Sequence, residues 1–172
     1  MSKSNITAES VKELRNMTGA GIMDCKRALQ DTDGDMTKAA EALQKQGLAK
    51  AEKRAQREAR NGLIESYIHG GRIGAMVEIN CESDFVARTE DFKTLAHDIA
   101  MQVAATDPRF LCADDIPTES RAQVDPVETC LLSQPFIRDP QRSIQDIVTE
   151  VIAKTGENIK VRRFARFELG KG

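Results

Sequence analysis

The sequence predicts an α+β fold: a helical N-terminal part, then a core domain of antiparallel three-stranded sheet packed with helices. Three observations carry this. Apolar residues recur at helical spacing from Val11 to Leu43. Ile73, Ala75, Val77 and Ile79 then alternate strictly, which puts them on one face of a strand. From Phe92 the helical period returns, with Leu95, Ala96, Ile99, Val103 and Ala104 on one stripe. Charge shifts at the same place: residues 1–61 balance at +3 and residues 62–172 at −5.

In order along the chain, Thr7 is placed to cap a first helix, with Ile6 and Val11 in staple spacing and Val11, Leu14 and Met17 on one face. Thr18-Gly19-Ala20-Gly21 ends it, and a second helix carries Ile22, Met23, Cys25, Ala28 and Leu29. Asp31 to Gly34 is a turn, and Asp35 caps a third helix burying Met36, Ala39, Ala40 and Leu43. Residues 49–60 read as a charged helix with almost no apolar stripe, either a linker or a helix whose basic side faces solvent or a partner. Leu63–His69 and Arg72–Cys81 are strands around the Gly70-Gly71 turn. All five prolines fall in 106–142, an irregular excursion that contains the apolar patch Leu131-Leu132 and Pro135-Phe136-Ile137. Ser143 caps a helix with Asp146 at its third position, burying Ile144, Ile147, Val148, Val151 and Ile152 up to Gly156. Ile159–Leu169 is a final strand.

The formal net charge of the 172 residues is −2, without the basic excess of a typical nucleic-acid binder. With 40% apolar and 30% charged residues the chain can bury a core. No apolar run reaches the ~18 residues of a membrane helix. Met1–Thr7 lead into a charged helix without a signal-peptide core, so a cytoplasmic protein is expected. Cysteines 25, 81, 112 and 130 are widely spaced and read as free thiols. Asp31-x-Asp33-x-Asp35 lacks the Gly and Glu positions of a calcium loop and reads as turn plus cap. Gly19-Ala20-Gly21 follows no strand, so it is a helix–helix turn, not a dinucleotide fingerprint. Neither His69 nor His97 pairs with a cysteine in any recognisable pattern, and His97 falls off the apolar stripe.

Two other function classes follow from the residues: an RNA- or ribosome-binding module using the basic stretch 50–60, and a thiol enzyme using Cys81 or Cys25. The segment Asn80-Cys-Glu-Ser-Asp-Phe-Val-Ala-Arg88 joins a strand to a helix. Asp84 is placed to cap that helix, and Phe85 and Val86 are either corner core or an anchor for a partner.

Three stretches give the chain a family likeness: Val11-Lys-Glu-Leu-Arg15 with Thr18–Leu29, Glu78–Arg88, and Thr155–Phe164 continuing through Phe167–Gly170. In these it resembles the elongation factor Ts family, exchange factors for the GTPase elongation factor Tu. The resemblance implies a ubiquitin-associated-like three-helix docking bundle at 1–55 and an α+β dimerisation domain at 56–172 that opens with the linker helix. It implies a protein partner, no cofactor, no metal, no catalytic residue, and no direct contact with nucleic acid or membrane. The implied site that disturbs the partner's Mg²⁺ is Ser83, Asp84, Phe85 and Val86, with Ser83 where the family commonly has Thr. Val11, Leu14 and Met23 are implied contacts of the bundle. Only one copy of the core unit fits in the chain, as in short family members that pair into homodimers. That pairing is expected through the sheet and Phe136, without a disulfide, because no cysteine lies in the final helix or strand.

Overall fold

Helix α1 (Ala8–Thr18) begins where Thr7 Oγ1 accepts the Ser10 N–H at 3.2 Å. It stops at Gly19, whose φ of 67° only glycine adopts freely. These features belong to a computed structural model that describes residues 6–171. Met1–Asn5, on which the expectation of no signal-peptide core falls in part, Gly172 and the side chains of Leu48 and Glu52 lie outside the described residues. Helix α2 (Ile22–Asp31) follows, and a turn through Asp33 and Gly34 leads to α3 (Met36–Arg54). The Asp35 carboxylate accepts the Lys38 N–H at 3.0 Å, so the triple-aspartate stretch is turn and cap. Leu14, Cys25, Ala28, Leu29, Ala39 and Leu43 form the core of these three helices.

The charged stretch 49–60 is not a separate helix. Nothing caps or stops α3 near residue 49, so it runs on to Arg54 and then unwinds. Its Ala51 packs on the second hydrophobic cluster, and α3 lies along α7 (Ile144–Thr155). The stem of Lys154 on α7 covers Gly19, where an added Cβ would come within 2.6 Å of Lys154 Cε. The helical bundle is therefore seated against the rest of the molecule.

Strands β1 (Asn61–His69), β2 (Ile73–Cys81) and β5 (Lys160–Glu168) form an antiparallel sheet in the order β1-β2-β5. Gly70 and Gly71 both have positive φ, and the Arg72 N–H closes the turn on His69 O at 3.0 Å. The alternation along β2 works as expected: Ala75, Val77, Ile79 and Cys81 are buried on the inner face. They pack on α5 (Glu90–Thr106), whose Phe92, Leu95, Ala96, Ile99, Val103 and Ala104 are all buried, and on α7. Ser143 and Asp146 cap α7 reciprocally, and Gly156 ends it at φ 75°.

The proline-rich excursion folds as single 3-10 turns, a one-turn helix α6 (Pro126–Thr129) and a small hairpin of β3 (Pro135–Phe136) and β4 (Asp139–Ser143). Buried Gln102 on α5 holds it. Its Nε2 donates to Gln134 Oε1 and to Pro135 O at 3.2 and 3.1 Å, and its Oε1 accepts the Ile137 N–H at 2.9 Å. Leu131 and Phe136 enter the main core. Phe136, expected at a dimer contact, is instead a core residue only 5% exposed, because the hairpin turns it into the main cluster.

Gly62 sits at φ +144°, with an ideal Cβ only 2.0 Å from Ile79 O across the β1–β2 pair. No side chain fits there without displacing β2. Gly62→Ala is expected to destabilise the fold by more than ~1 kcal/mol in urea unfolding. Gly70→Ala, with open space around its Cβ, carries only the cost of its positive φ. An equal or larger loss at Gly70 would refute the steric argument.

Candidate functional site

Ten residues separate the buried end of β2 from Phe92, the first buried residue of α5. The chain crosses this gap as a single helical turn, α4 (Asp84–Ala87), followed by a second start at Thr89. Ser83, not Asp84, is the cap: its Oγ accepts the Val86 N–H at 3.4 Å. Asp84 is already helical and instead pairs with Arg88 at 2.8 Å. The physical reason is backbone geometry, since Ser83 has the extended φ/ψ of a cap, −125° and 157°. Thr89 then caps α5 by accepting the Phe92 N–H at 3.3 Å.

The two apolar residues of this turn go opposite ways. Val86 packs against the main core, whereas Phe85 is 79% exposed, the most exposed large apolar side chain among the described residues. Of the two readings open for Phe85, the structure removes the core one. What is left is the anchor reading, in which an exposed aromatic side chain would fill a pocket of a partner.

A distant loop holds the turn through hydrogen bonds. The Glu157 carboxylate accepts the N–H groups of Glu82 and Ser83 at 3.1 and 3.0 Å and the Ser83 hydroxyl at 2.5 Å. Asn158, 2% exposed, donates its N–H to Glu82 Oε1 at 2.6 Å. Its side-chain amide reaches Arg57 O at 2.7 Å and Ala55 O at 3.4 Å, which draws the chain out of α3. The sequence reading did not single out Glu157 or Asn158. Their partners lie too far along the chain for any local pattern to show.

The thiols have structural surroundings. Cys81 is buried and donates to Ser83 O at 3.1 Å; burial first, and the Glu157 charge second, push its pKa up to about 11. Burial also raises Cys25. Neither histidine serves a cysteine: His69 meets the Tyr67 hydroxyl at 3.2 Å, and exposed His97 lies 3.6 Å from Glu65. All four cysteines are free. Among the described residues no group of three or more His, Cys, Asp or Glu converges as a metal site. No described helix is long and apolar enough to cross a membrane.

Of the bundle residues, Leu14 is fully buried and holds the three helices together, so its side chain is not offered to a partner. Val11 is half-buried on the same cluster. Met23, 68% exposed, stands on the surface with Met17 and Ile22, which the helical stripes had placed inside. In the stretch 50–60, Lys50, Arg57 and Arg60 are paired with Asp24, Glu82 and Glu58. That leaves the basic segment partly neutralised.

A family model described as elongation factor TS matches residues 4–125. An elongation factor Ts from Carboxydothermus hydrogenoformans is 51% identical over 196 aligned positions, covering 97% of this chain and 90% of that protein. The chain belongs to the elongation factor Ts family. Elongation factor Ts proteins of Syntrophomonas wolfei and Thermodesulfovibrio yellowstonii are 50% and 47% identical, covering 97% and 96% of this chain and 92% and 97% of theirs. The alignment to the first two is longer than the chain, so elongation factor Ts relatives carry segments that are shortened here. Membership makes this a translation elongation factor, at work in protein biosynthesis.

The exposure of Phe85 has a direct consequence for stability. Phe85→Ala is expected to change unfolding free energy by no more than ~0.5 kcal/mol, as surface substitutions do. Phe92→Ala, at a fully buried position, should cost about 3–5 kcal/mol. Parallel thermal melts decide it; equal losses at the two positions would return Phe85 to the core.

Proposed function

We propose that this chain is a guanine nucleotide exchange factor. It binds elongation factor Tu·GDP in the cytoplasm and speeds GDP release by disturbing the Mg²⁺ and phosphate site of that GTPase. The observation that carries this reading is Phe85, exposed at the tip of a turn that hydrogen bonds hold in place. A GTPase holds GDP through phosphate-loop amides and a near-octahedral Mg²⁺. Mg²⁺ tolerates little distortion, so a ring driven between the surrounding elements weakens metal and phosphate binding together. No acid, base or nucleophile takes part. The effect is a coupling free energy: factor and nucleotide weaken each other's binding by the same factor.

Ser83, Asp84, Phe85 and Val86 form the wedge in this mechanism, each differently. Phe85 intrudes, Val86 roots the turn in the core, Ser83 caps it, and Asp84 with Arg88 edges it. Residues 1–55 are the docking module, with Met23, Met17 and Ile22 as its exposed apolar surface. Residues 56–172 supply the wedge and the dimer contact.

The dimer reading rests on the outer face of the sheet. The strand register places Ile64, Ile68, Met76 and Phe167 together there, all exposed. Glu78, paired with Arg163 at 2.7 Å, borders the patch. A single core unit leaves this face without a cover of its own, and a second copy related by a two-fold axis offers a matching apolar surface.

Three outcomes test these statements. Phe85→Ala should stay folded yet lose stimulation of labelled GDP release from elongation factor Tu. A loss of ~2 kcal/mol of coupling reduces the effect on nucleotide affinity roughly thirtyfold. Full stimulation by that variant refutes the wedge. Met23→Asp should raise the concentration of factor needed for half-maximal release while leaving the maximal rate near wild type; an unchanged titration removes the bundle from the interface. In sedimentation at micromolar concentration the chain should run as a dimer with or without reducing agent, and Phe167→Asp should shift it to monomer. A wild-type monomer contradicts the sheet-face assembly.

A further inference from the structure

Glu157 and Asn158 occupy the loop between α7 and β5 and tie together three segments that are distant in sequence. Glu157 Oε2 accepts two consecutive backbone N–H groups, from Glu82 and Ser83, and Oε1 accepts the Ser83 hydroxyl. Because Ser83 also caps α4, the carboxylate fixes both the entry to that helix and its first turn. Asn158 donates its backbone N–H to Glu82 on one side and its side-chain amide to the carbonyls of Ala55 and Arg57 at the exit from α3 on the other. A carboxylate taking three donors is a strong clamp, since bonds to an ionised acceptor are roughly twice as strong as neutral ones.

We infer that Glu157 is a positioning residue for nucleotide exchange: it sets the direction in which Phe85 leaves the corner, and Asn158 keeps that direction in register with the helical bundle. The inference rests on the wedge reading of Phe85. A hinge of one helical turn, left free, would let the ring swing, and an intruding group must arrive at a fixed place. Misplacement by about 1 Å can cost two orders of magnitude in an optimised site.

The test is release of a fluorescent GDP analogue from elongation factor Tu, with the full-length chain titrated to saturation. Glu157→Ala should lower the maximal release rate by about tenfold or more. The half-saturating concentration should stay within about threefold of wild type, because the bundle surface is untouched. Glu157→Gln can turn its oxygen to both backbone N–H groups and donate its amide to Ser83 Oγ, so it should keep the maximal rate within about threefold. In a Phe85→Ala background, Glu157→Ala should cause no further loss, because both changes act through one ring. Melting temperatures are measured in parallel. If Glu157→Ala does not fold, Glu157→Asp, one methylene too short to span both sets of donors, is held to the same outcomes.

A folded Glu157→Ala or Glu157→Asp protein with the wild-type maximal rate overturns the inference. So does a glutamine variant as impaired as the alanine one, or a further loss in the Phe85→Ala background. Phe85→Ala separates the two levels. If it is impaired while Glu157→Ala is not, positioning alone falls; if it releases GDP at the wild-type rate, the wedge reading falls and positioning with it.

Discussion

Three strands and two long helices can dehydrate only one face of a sheet. That constraint organises the core domain. Strand β2 lies in the middle and turns Ala75, Val77, Ile79 and Cys81 inward, so α5 and α7 must lie beneath it. Burying these side chains removes most of the apolar surface of β2 from water, at roughly 25 cal/mol per Å². The opposite face then has nothing of its own to cover Ile64, Ile68, Met76 and Phe167. The corner follows from the same arrangement. To pass from the inner end of β2 to the start of α5 the chain must reverse within a few residues, and α4 is that reversal.

Within the corner, packing and exposure are divided between neighbours. A helix with a continuous apolar stripe through residues 84–92 would have drawn Phe85 onto the core. Instead, the second start at Thr89 breaks the helix and changes its direction, so Val86 is directed inward and Phe85 outward. The exposed ring contributes little to folding, and the fold in turn leaves it free for another molecule.

Much of this architecture is legible in the sequence because the signals are local. The β2 alternation, the α5 stripe, the Ser143–Asp146 box and the Gly156 stop each lie within a few residues, and each formed as read. The local rules also explain the misreadings. Residues 49–60 read as one charged helix because their apolar stripe fades, but α3 reaches into them for want of a stop signal and ends at Arg54. Phe136 sits in an apolar patch that reads as a contact surface, yet burial is decided by what the element packs against, and the hairpin carries it inward. Asp84 and Ser83 are both good caps, and only the backbone dihedrals choose between them. At the corner itself Ser83, Asp84, Phe85 and Val86 are visible in the sequence as a cluster. Glu157 and Asn158 are not, because a hydrogen bond across 74 or 75 residues leaves no periodic trace.

The sequence distance between Glu157 and the corner it holds has a consequence for synthesis. Chains emerge N-terminus first, and domains fold as their parts appear. The hairpin of β1 and β2, the Ser83 turn and α5 are all made well before residue 157. Until α7 and its following loop leave the ribosome, the Glu82 and Ser83 amides have no carboxylate and β2 has no neighbour in β5. The corner is therefore set late, together with the pairing of β5 onto β2. A nascent or prematurely ended chain carries Phe85 on a turn that lacks the Glu157 clamp. Completion of the polypeptide is thus built into the geometry of the corner that carries Phe85.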